Sequence, residues 1–118
     1  MANDALFTGW GAVVRGREQQ ALQVFQETIG YWTAAQQDGR IESFEPILLD
    51  PHGGELAGFI LVRGERTQLD AMRSSEEYQR LVARAVAIVD DLGVINAYGE
   101  ETLARQLGLF QEAAAQLS

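Results

Sequence analysis

The chain has 118 residues, a formal net charge of −8, a hydrophobic content of 47% and no cysteine. This length fits a single domain over residues 1–118, and the apolar content is sufficient for a hydrophobic core. The negative charge argues against nucleic acid or an anionic membrane as a partner. The lack of cysteine excludes disulfides and thiolate metal sites. No stretch approaches the roughly 18 apolar residues of a membrane span, and the N-terminus does not resemble a signal peptide, so a cytoplasmic protein is expected.

The first half of the chain predicts a strand followed by a long helix. Phe7–Arg15 is typical of a strand, and both of its faces are apolar. Gly16 ends it, and a helix is predicted over Glu18–Gln37, with Gly39 as its stop. The apolar residues of this helix recur at helical spacing and form one stripe: Leu22, Phe25, Ile29 and Trp32.

A β-hairpin is predicted next. Two apolar segments, Phe44–Leu49 and Leu56–Val62, flank the sequence DPHGG. Proline fixes φ and glycine reaches φ > 0 without strain, so this sequence favours a turn of about five residues. Pro46 cannot donate to a strand ladder, which places the first of these strands at a sheet edge. The second strand is apolar on both faces and is expected to be covered on both sides.

The second half of the chain repeats the order strand, helix, strand. A short helical turn is predicted over Thr67–Met72, and then a helix that begins at Ser74. Ser74 and Glu77 have the S-x-x-E spacing of a capping box. Gly93–Tyr98 is a fourth predicted strand, and Glu100–Leu117 is an amphipathic helix with acidic residues at its N-terminal end.

A short internal repeat supports a fold with two similar halves. Val14-Arg15-Gly16 recurs as Val62-Arg63-Gly64, and each copy ends a strand before a helix. Two βαβ halves joined by a hairpin give an α+β, ferredoxin-like βαββαβ fold. We expect a four-stranded antiparallel sheet with its helices on one face and an extra C-terminal helix. We further expect the first and third strands to lie side by side and parallel at the sheet centre.

The same pattern predicts a homodimer. Helices on one face leave the other face of the sheet bare, although the central strands are apolar on both faces. An uncovered apolar face is a site for a partner, and a two-fold dimer with the bare sheets face to face is the simplest solution.

The order of elements and two sequence stretches carry a family resemblance. The stretches FEPILLDPHGGELAGFILVRGE and SSEEYQRLVARAVAIVDDLGVINAY resemble those of the dimeric α/β-barrel superfamily of ferredoxin-like proteins, in particular its small uncharacterised bacterial members. The resemblance covers roughly residues 7–98. The superfamily includes cofactor-independent monooxygenases, haem-handling enzymes, lactone isomerases and proteins without known activity. No catalytic motif of any branch matches this sequence residue by residue, so whether the protein is an enzyme stays open.

Two arginines are candidates for an anion site. If the first and third strands are parallel neighbours, Arg15 and Arg63 end them at the same side of the sheet. Two guanidiniums beside helix N-termini can hold a carboxylate or a phosphate. The alternative is that they pair with nearby acidic residues.

Aromatic and amide side chains are candidates for a ligand pocket between the sheet and the helices. Such pockets bind small apolar molecules, although aromatic residues at these spacings are more often core. The residues that we select for this pocket are Trp10, Trp32, Asn96 and Tyr98. His52 is the only histidine and lies in the predicted turn, so we expect it to be an exposed turn residue; neither a metal site nor a cofactor is predicted.

Two functions are compatible with these observations. The first is a homodimer that binds a small organic ligand or serves as an assembly module, and it predicts that no side chains converge on a buried polar pocket. The second is a cofactor-independent monooxygenase or isomerase acting on a small aromatic or polyketide-like substrate. It predicts an enclosed cavity that includes Asn96 or an aromatic hydroxyl.

Overall fold

The computed structural model describes residues 4–117, which form one antiparallel sheet and four helices. In chain order the elements are β1 Asp4–Trp10, α1 Glu18–Gln37, β2 Ser43–Leu48, β3 Gly58–Gly64, α2 Arg66–Ser74, α3 Glu76–Val86, β4 Gly93–Tyr98 and α4 Glu100–Leu117. The strands lie in the order β2-β3-β1-β4, and all three neighbouring pairs are antiparallel. This is the ferredoxin-like plan with α4 added, and it confirms the predicted fold class and the edge position of β2.

The main core lies on the helical side of the sheet. Side chains alternate between the two faces of a strand, and Leu6, Ile60 and Val62 point to this side, where they are fully buried. They pack in one cluster with Trp32 of α1 and Leu69 of α2. This burial fixes the strand register, because a shift by one residue would turn all three side chains to the other face.

The opposite side of the sheet, here called the open face, presents Phe7, Phe59, Leu61 and Ile95. These residues share a face because Phe7 pairs with Leu61 on one side and with Ile95 on the other. The rings of Phe7 and Phe59 stack with their centroids 5.0 Å apart. Ile95 keeps 59% of its surface exposed, and the other three are partly buried. The central strands are therefore apolar on both faces, as the sequence predicted.

The direction of β3 corrects one expectation. β1 and β3 are neighbours at the sheet centre, but they are antiparallel, with Asp4 opposite Gly64 and Trp10 opposite Gly58. Helix α1 returns the chain so that β2 runs parallel to β1, and the β2–β3 hairpin then reverses the direction once more. The expected parallel pair was wrong for this reason.

The end of β1 also differs from the expectation. The predicted strand Phe7–Arg15 leaves the sheet after Trp10, because the backbone beyond it pairs with the segment after α3. The Gly11 amide donates to the carbonyl oxygen of Asp90 at 2.7 Å. A Cβ atom at Gly11 would lie 3.0 Å from the carbonyl oxygens of both Asp90 and Glu55. Glycine is therefore needed at this crossing of three backbone segments.

The connection between β2 and β3 spans residues 49–57 and is longer than predicted. The imidazole of His52 organises it: Nε2 lies 2.8 Å from the carbonyl oxygen of Leu56, and the Gly54 amide donates to Nδ1 at 3.2 Å. His52 is exposed, and its ring binds the backbone of its own turn.

The bounds of three elements confirm the predictions, while one cap is displaced. α1, β4 and α4 have the predicted first and last residues. The N-cap of α3 is Ser75, whose Oγ accepts a hydrogen bond from the Tyr78 amide at 3.2 Å. Ser74 cannot fill this role because it is still the last residue of α2.

Candidate functional site

A cavity of about 410 Å³ lies between the sheet and the helices α1 and α3. Its lining is almost entirely apolar and comes from all four of β1, β2, β3 and α1, from the β1–α1 connection, and from α3 and the segment after it. The lining includes Thr8, Trp10, Val13, Leu22, Phe25 and Leu48. Such a cavity accepts an apolar molecule and offers little for polar catalysis.

One wall of the cavity is built from two aromatic rings. Trp10 at the end of β1 meets Phe25 of α1 edge to face, with ring centroids 6.1 Å apart. Gly58, opposite Trp10 in β3, makes room for the indole, because a Cβ there would lie 2.8 Å from Trp10 Cζ2. It would also lie 3.1 Å from Leu48 Cδ2, so one glycine sets the position of two lining side chains.

The polar side chains of the lining differ in their hydrogen-bond partners. The Thr28 hydroxyl donates to the Val24 carbonyl oxygen at 2.8 Å, and a carboxylate oxygen of Glu18 accepts from the Gly16 amide at 3.1 Å. Thr8 Oγ1 is buried and has no hydrogen bond of ordinary geometry with the described residues. The Tyr78 phenol interacts with this hydroxyl, which can still form another hydrogen bond, so Thr8 is the lining group that a ligand could engage.

The phenol that interacts with Thr8 belongs to Tyr78 of the core. Burial raises the pKa of the Tyr78 phenol above its usual value, and its interaction with the Thr8 hydroxyl lowers that pKa in part. The phenol is therefore neutral over the physiological range and donates no charge to the cavity.

The mouth of the cavity is lined by exposed apolar side chains, here called the rim. Val13 is 42% exposed, Leu22 is 56% exposed and Leu48 is 72% exposed. These three side chains come from the β1–α1 connection, α1 and β2. Leu22 was predicted to belong to the buried stripe of α1, but the buried positions of this half of the helix are Ala21 and Val24.

Of the six residues that the sequence suggested for ligand binding, Trp10 alone lines this cavity. Trp32 is only 1% exposed and belongs to the core, where its ring contacts those of Tyr31 and Tyr78. Its helical spacing is the same for a core residue and for a pocket residue, so periodicity could not separate the two.

The two arginines of the proposed anion site are not neighbours. Arg63 pairs with Ala5 near the start of β1, whereas Arg15 follows the other end of that strand. The expectation that they share one end of the sheet was wrong because it depended on parallel strands. Both residues are exposed.

Asn96 and Tyr98 lie on β4, away from the cavity lining. Asn96 Oδ1 accepts hydrogen bonds from Arg66 at 2.8 Å and from Arg73 at 3.1 Å. These bonds attach α2 to the edge strand, so the amide oxygen already has two donors. Tyr98 is 47% exposed at the end of the strand, opposite Asp4.

Thr8 and Leu48 were not selected from the sequence, although one signal was available. Thr8 lies between Leu6 and Trp10 on the same strand face, so period-two alternation places its hydroxyl on the core side. The segment after α3 gave no such signal, because it reaches the cavity through its pairing with the β1–α1 connection.

No family model matches this chain, and no curated protein matches it. Several solved structures are similar in fold. A dimeric protein of unknown function with a ferredoxin-like fold from Bacteroides fragilis is 8% identical, with a TM-score of 0.57 over 80% of this chain and 95% of that chain. A conserved protein from Methanosarcina mazei is 9% identical, with a TM-score of 0.62 over 84% of this chain and 95% of that one.

SnoaB, a cofactor-independent oxygenase from Streptomyces nogalater, is 13% identical, with a TM-score of 0.56 over 86% of this chain and 98% of its own. These likenesses confirm the predicted ferredoxin-like fold. Within residues 4–117, no helix combines the length and hydropathy needed to cross a membrane.

Proposed function

We propose that this protein is a homodimer that binds a small, largely apolar organic molecule in the cavity between the sheet and the helices. The observation that carries the proposal is the cavity of about 410 Å³ with its apolar lining. An engineered apolar cavity of about 150 Å³ stays dry and binds benzene. A cavity of the present size is therefore suited to a fused two-ring aromatic or an aliphatic molecule of similar volume.

The ligand carries at least one hydrogen-bonding group. Thr8 Oγ1 is buried in the lining, and the Tyr78 phenol interacts with it. The hydroxyl can form a further hydrogen bond with a hydroxyl or carbonyl of the ligand, and a neutral bond of this kind contributes about 0.5–1.5 kcal/mol. No charged partner is expected, because the lining is almost entirely apolar.

The dimer is supported by the open face and by the similar structures. Phe7, Phe59, Leu61 and Ile95 form an apolar surface on the side of the sheet opposite the core. The similar Bacteroides fragilis protein is described as dimeric. A two-fold contact between open faces would bury these side chains in both copies at once.

A cofactor-independent monooxygenase or isomerase acting on an aromatic or polyketide-like molecule is the second candidate. The likeness to SnoaB and the size of the cavity favour it. The described lining contains neither Asn96 nor an aromatic hydroxyl, and Asn96 is held by Arg66 and Arg73. Binding without catalysis is the better supported of the two for this reason. Oxygen uptake in the presence of an electron-rich aromatic compound would favour the oxygenase.

Fluorescence titration with naphthol and with methylnaphthalene tests the binding proposal. The two probes have similar volumes, but only naphthol carries a hydroxyl. We expect the wild-type protein to prefer naphthol by roughly threefold to tenfold, the equivalent of one hydrogen bond. In Thr8→Val this preference should disappear while methylnaphthalene binds as before. Thr33→Val is the control, because that hydroxyl is exposed and bonds only within α1. Failure of both probes to bind would refute the proposal.

A further inference from the structure

Helix α4 presents an apolar stripe that its own chain leaves uncovered. None of its described residues is buried. Phe110 is 71% exposed and Leu117 is 88% exposed, although both side chains are large and apolar. The stripe, here called the α4 stripe, follows helical spacing and consists of Leu103, Leu107, Phe110, Ala114 and Leu117. An amphipathic helix of 18 residues gains most of its stability from packing of its apolar face, so this stripe requires a partner surface.

The accessible surface area of the chain is larger than expected for a compact monomer of its mass. The accessible surface is 7797 Å², whereas a compact monomer of 13.0 kDa has roughly 6,300 Å². The excess of about 1,500 Å² exceeds the roughly 800 Å² that one partner contributes to a standard interface. The radius of gyration is 16.3 Å, against about 13.5 Å for a compact domain of this length. The open face and α4 together would supply enough surface for a large interface with a second copy.

Contact between the open faces would leave two apolar surfaces exposed on each protomer. The rim lies on the helical side of the sheet, because Leu48 pairs with Gly58 next to the core position Ile60. The α4 stripe belongs to the helix that directly follows the edge strand β4 in the chain. One symmetric contact, in which α4 covers the rim of the other copy, removes both surfaces from water. Pairing of the two α4 helices with each other would leave the rim exposed.

We propose that α4 of each protomer crosses to the second copy and closes the mouth of that copy's ligand cavity. The proposal rests on the homodimer and the cavity of the proposed function and makes the site incomplete without the partner. A two-fold axis parallel to the strands places β4 of one protomer over β2 of the other. The partner's rim lies on the outer, helical side of its sheet, so α4 reaches it by passing around the edge strand β2 of the partner.

The length of α4 fits this path. Tyr98 is opposite Asp4, so α4 begins at the end of the sheet that is remote from the rim. Leu48 lies at the other end, about 20 Å away along a strand of six residues. Eighteen helical residues span about 27 Å. Ala114, about 20 Å from the start of α4, is the stripe residue expected nearest to the rim of the second copy.

Cysteine cross-linking tests the arrangement, because the chain contains no cysteine of its own. One sample of full-length protein carries Leu48→Cys and the other Ala114→Cys. The two are mixed, allowed to exchange and treated with a short bismaleimide. We expect a covalent heterodimer from the mixture and no product from either variant alone. Gln116→Cys replaces Ala114→Cys as the control, because it lies on the opposite side of α4.

Each other outcome contradicts the proposal in a distinguishable way. A variant that carries both Leu48→Cys and Ala114→Cys serves as a further test. Cross-linking within one chain of this double variant at high dilution would mean that α4 packs on its own protomer. Dimers of Ala114→Cys alone would mean that the α4 helices pair with each other. No product from a mixture that sediments as a dimer would overturn the crossing of α4 and leave the homodimer standing. Sedimentation as a monomer would overturn both.

A second measurement does not depend on cross-linking geometry. Phe110→Glu places a charge in the α4 stripe, and we expect naphthol to dissociate roughly tenfold faster or more, since the mouth loses an apolar cover. Gln116→Glu adds the same charge on the opposite side of the helix and should leave this rate unchanged. Equal dissociation rates for the two variants would contradict closure of the cavity by α4.

Discussion

A substitution that fills the cavity should stabilise the fold and at the same time weaken ligand binding. Ala85 on α3 lines the cavity, and Ala85→Leu would extend three carbon atoms into its empty space. Burial of three such groups is worth about 0.8 kcal/mol each, and ordering the leucine costs about 0.5–1 kcal/mol. The free energy of unfolding should therefore rise by about 1.5 kcal/mol, provided that the added carbons meet no existing side chain.

Thermal unfolding followed by circular dichroism measures this effect. For a domain of 118 residues, 1.5 kcal/mol corresponds to an increase in Tm of roughly 6 °C. The affinity for naphthol should fall at least tenfold, since the leucine occupies part of the binding volume. Ala83→Leu is the matched control: it lies on the exposed side of the same helix, so it adds the same atoms without burying them. A decrease in Tm for Ala85→Leu, or unchanged naphthol binding, would refute the cavity as described.

Three further predictions concern the sheet and the core. Phe59→Glu should weaken the dimer about a thousandfold or more, because a two-fold interface buries the charge twice. Sedimentation should show the change, and Phe59→Leu should keep the dimer. Gly58→Ala should lower the free energy of unfolding by about 1–3 kcal/mol, measured by denaturant titration, because its Cβ would lie 2.8 Å from Trp10 Cζ2. Gly93→Ala, with no atom within 4 Å, is the control and should be nearly neutral. Burial raises the pKa of Tyr78 above 10.0, so above that pH the unfolded chain loses the proton while the folded chain keeps it. Stability should therefore fall as the pH rises through this range, and Tyr78→Phe should make the fall shallower. An unchanged slope in that variant would contradict the role of the buried phenol.

Much of the fold followed from local patterns, because the elements have clear boundaries in the sequence. The bounds of α1, β4 and α4 came from apolar periodicity and flanking glycines. The end of β1 did not, because alternation continues past Trp10 and only the distant backbone at Asp90 and Glu55 shows where the chain leaves the sheet. Local pattern cannot report a contact made by residues far along the chain.

The candidate site was predictable only in part, for a related reason. The sequence identified aromatic residues, but core and cavity positions share the same spacing, so Trp10 and Trp32 could not be told apart. The predicted anion site was wrong for a different reason. It depended on the direction of β3, which decides whether Arg15 and Arg63 share one end of the sheet. The sequence does not show whether the space beside an apolar residue is filled by other side chains or left empty as a cavity.

Closure of the cavity by a second copy has a thermodynamic consequence that joins the two proposals. Each dimer has two cavities, so if each copy in the dimer holds naphthol more tightly than the monomer by some factor, saturating naphthol must strengthen the dimer by the square of that factor. A tenfold effect at each site is a coupling free energy of about 1.4 kcal/mol per copy, and it corresponds to about a hundredfold change in the dimer affinity. Sedimentation at several protein concentrations, with and without saturating naphthol, measures the dimer affinity directly. Titration of Phe59→Glu, which should be monomeric, measures the binding of naphthol to a single copy. Phe110→Glu should lose the coupling at protein concentrations at which sedimentation still shows a dimer, because only the contact between α4 and the rim links the two equilibria. Coupling of the same size in Phe110→Glu would mean that the open face, and not α4, carries the influence of one copy on the cavity of the other.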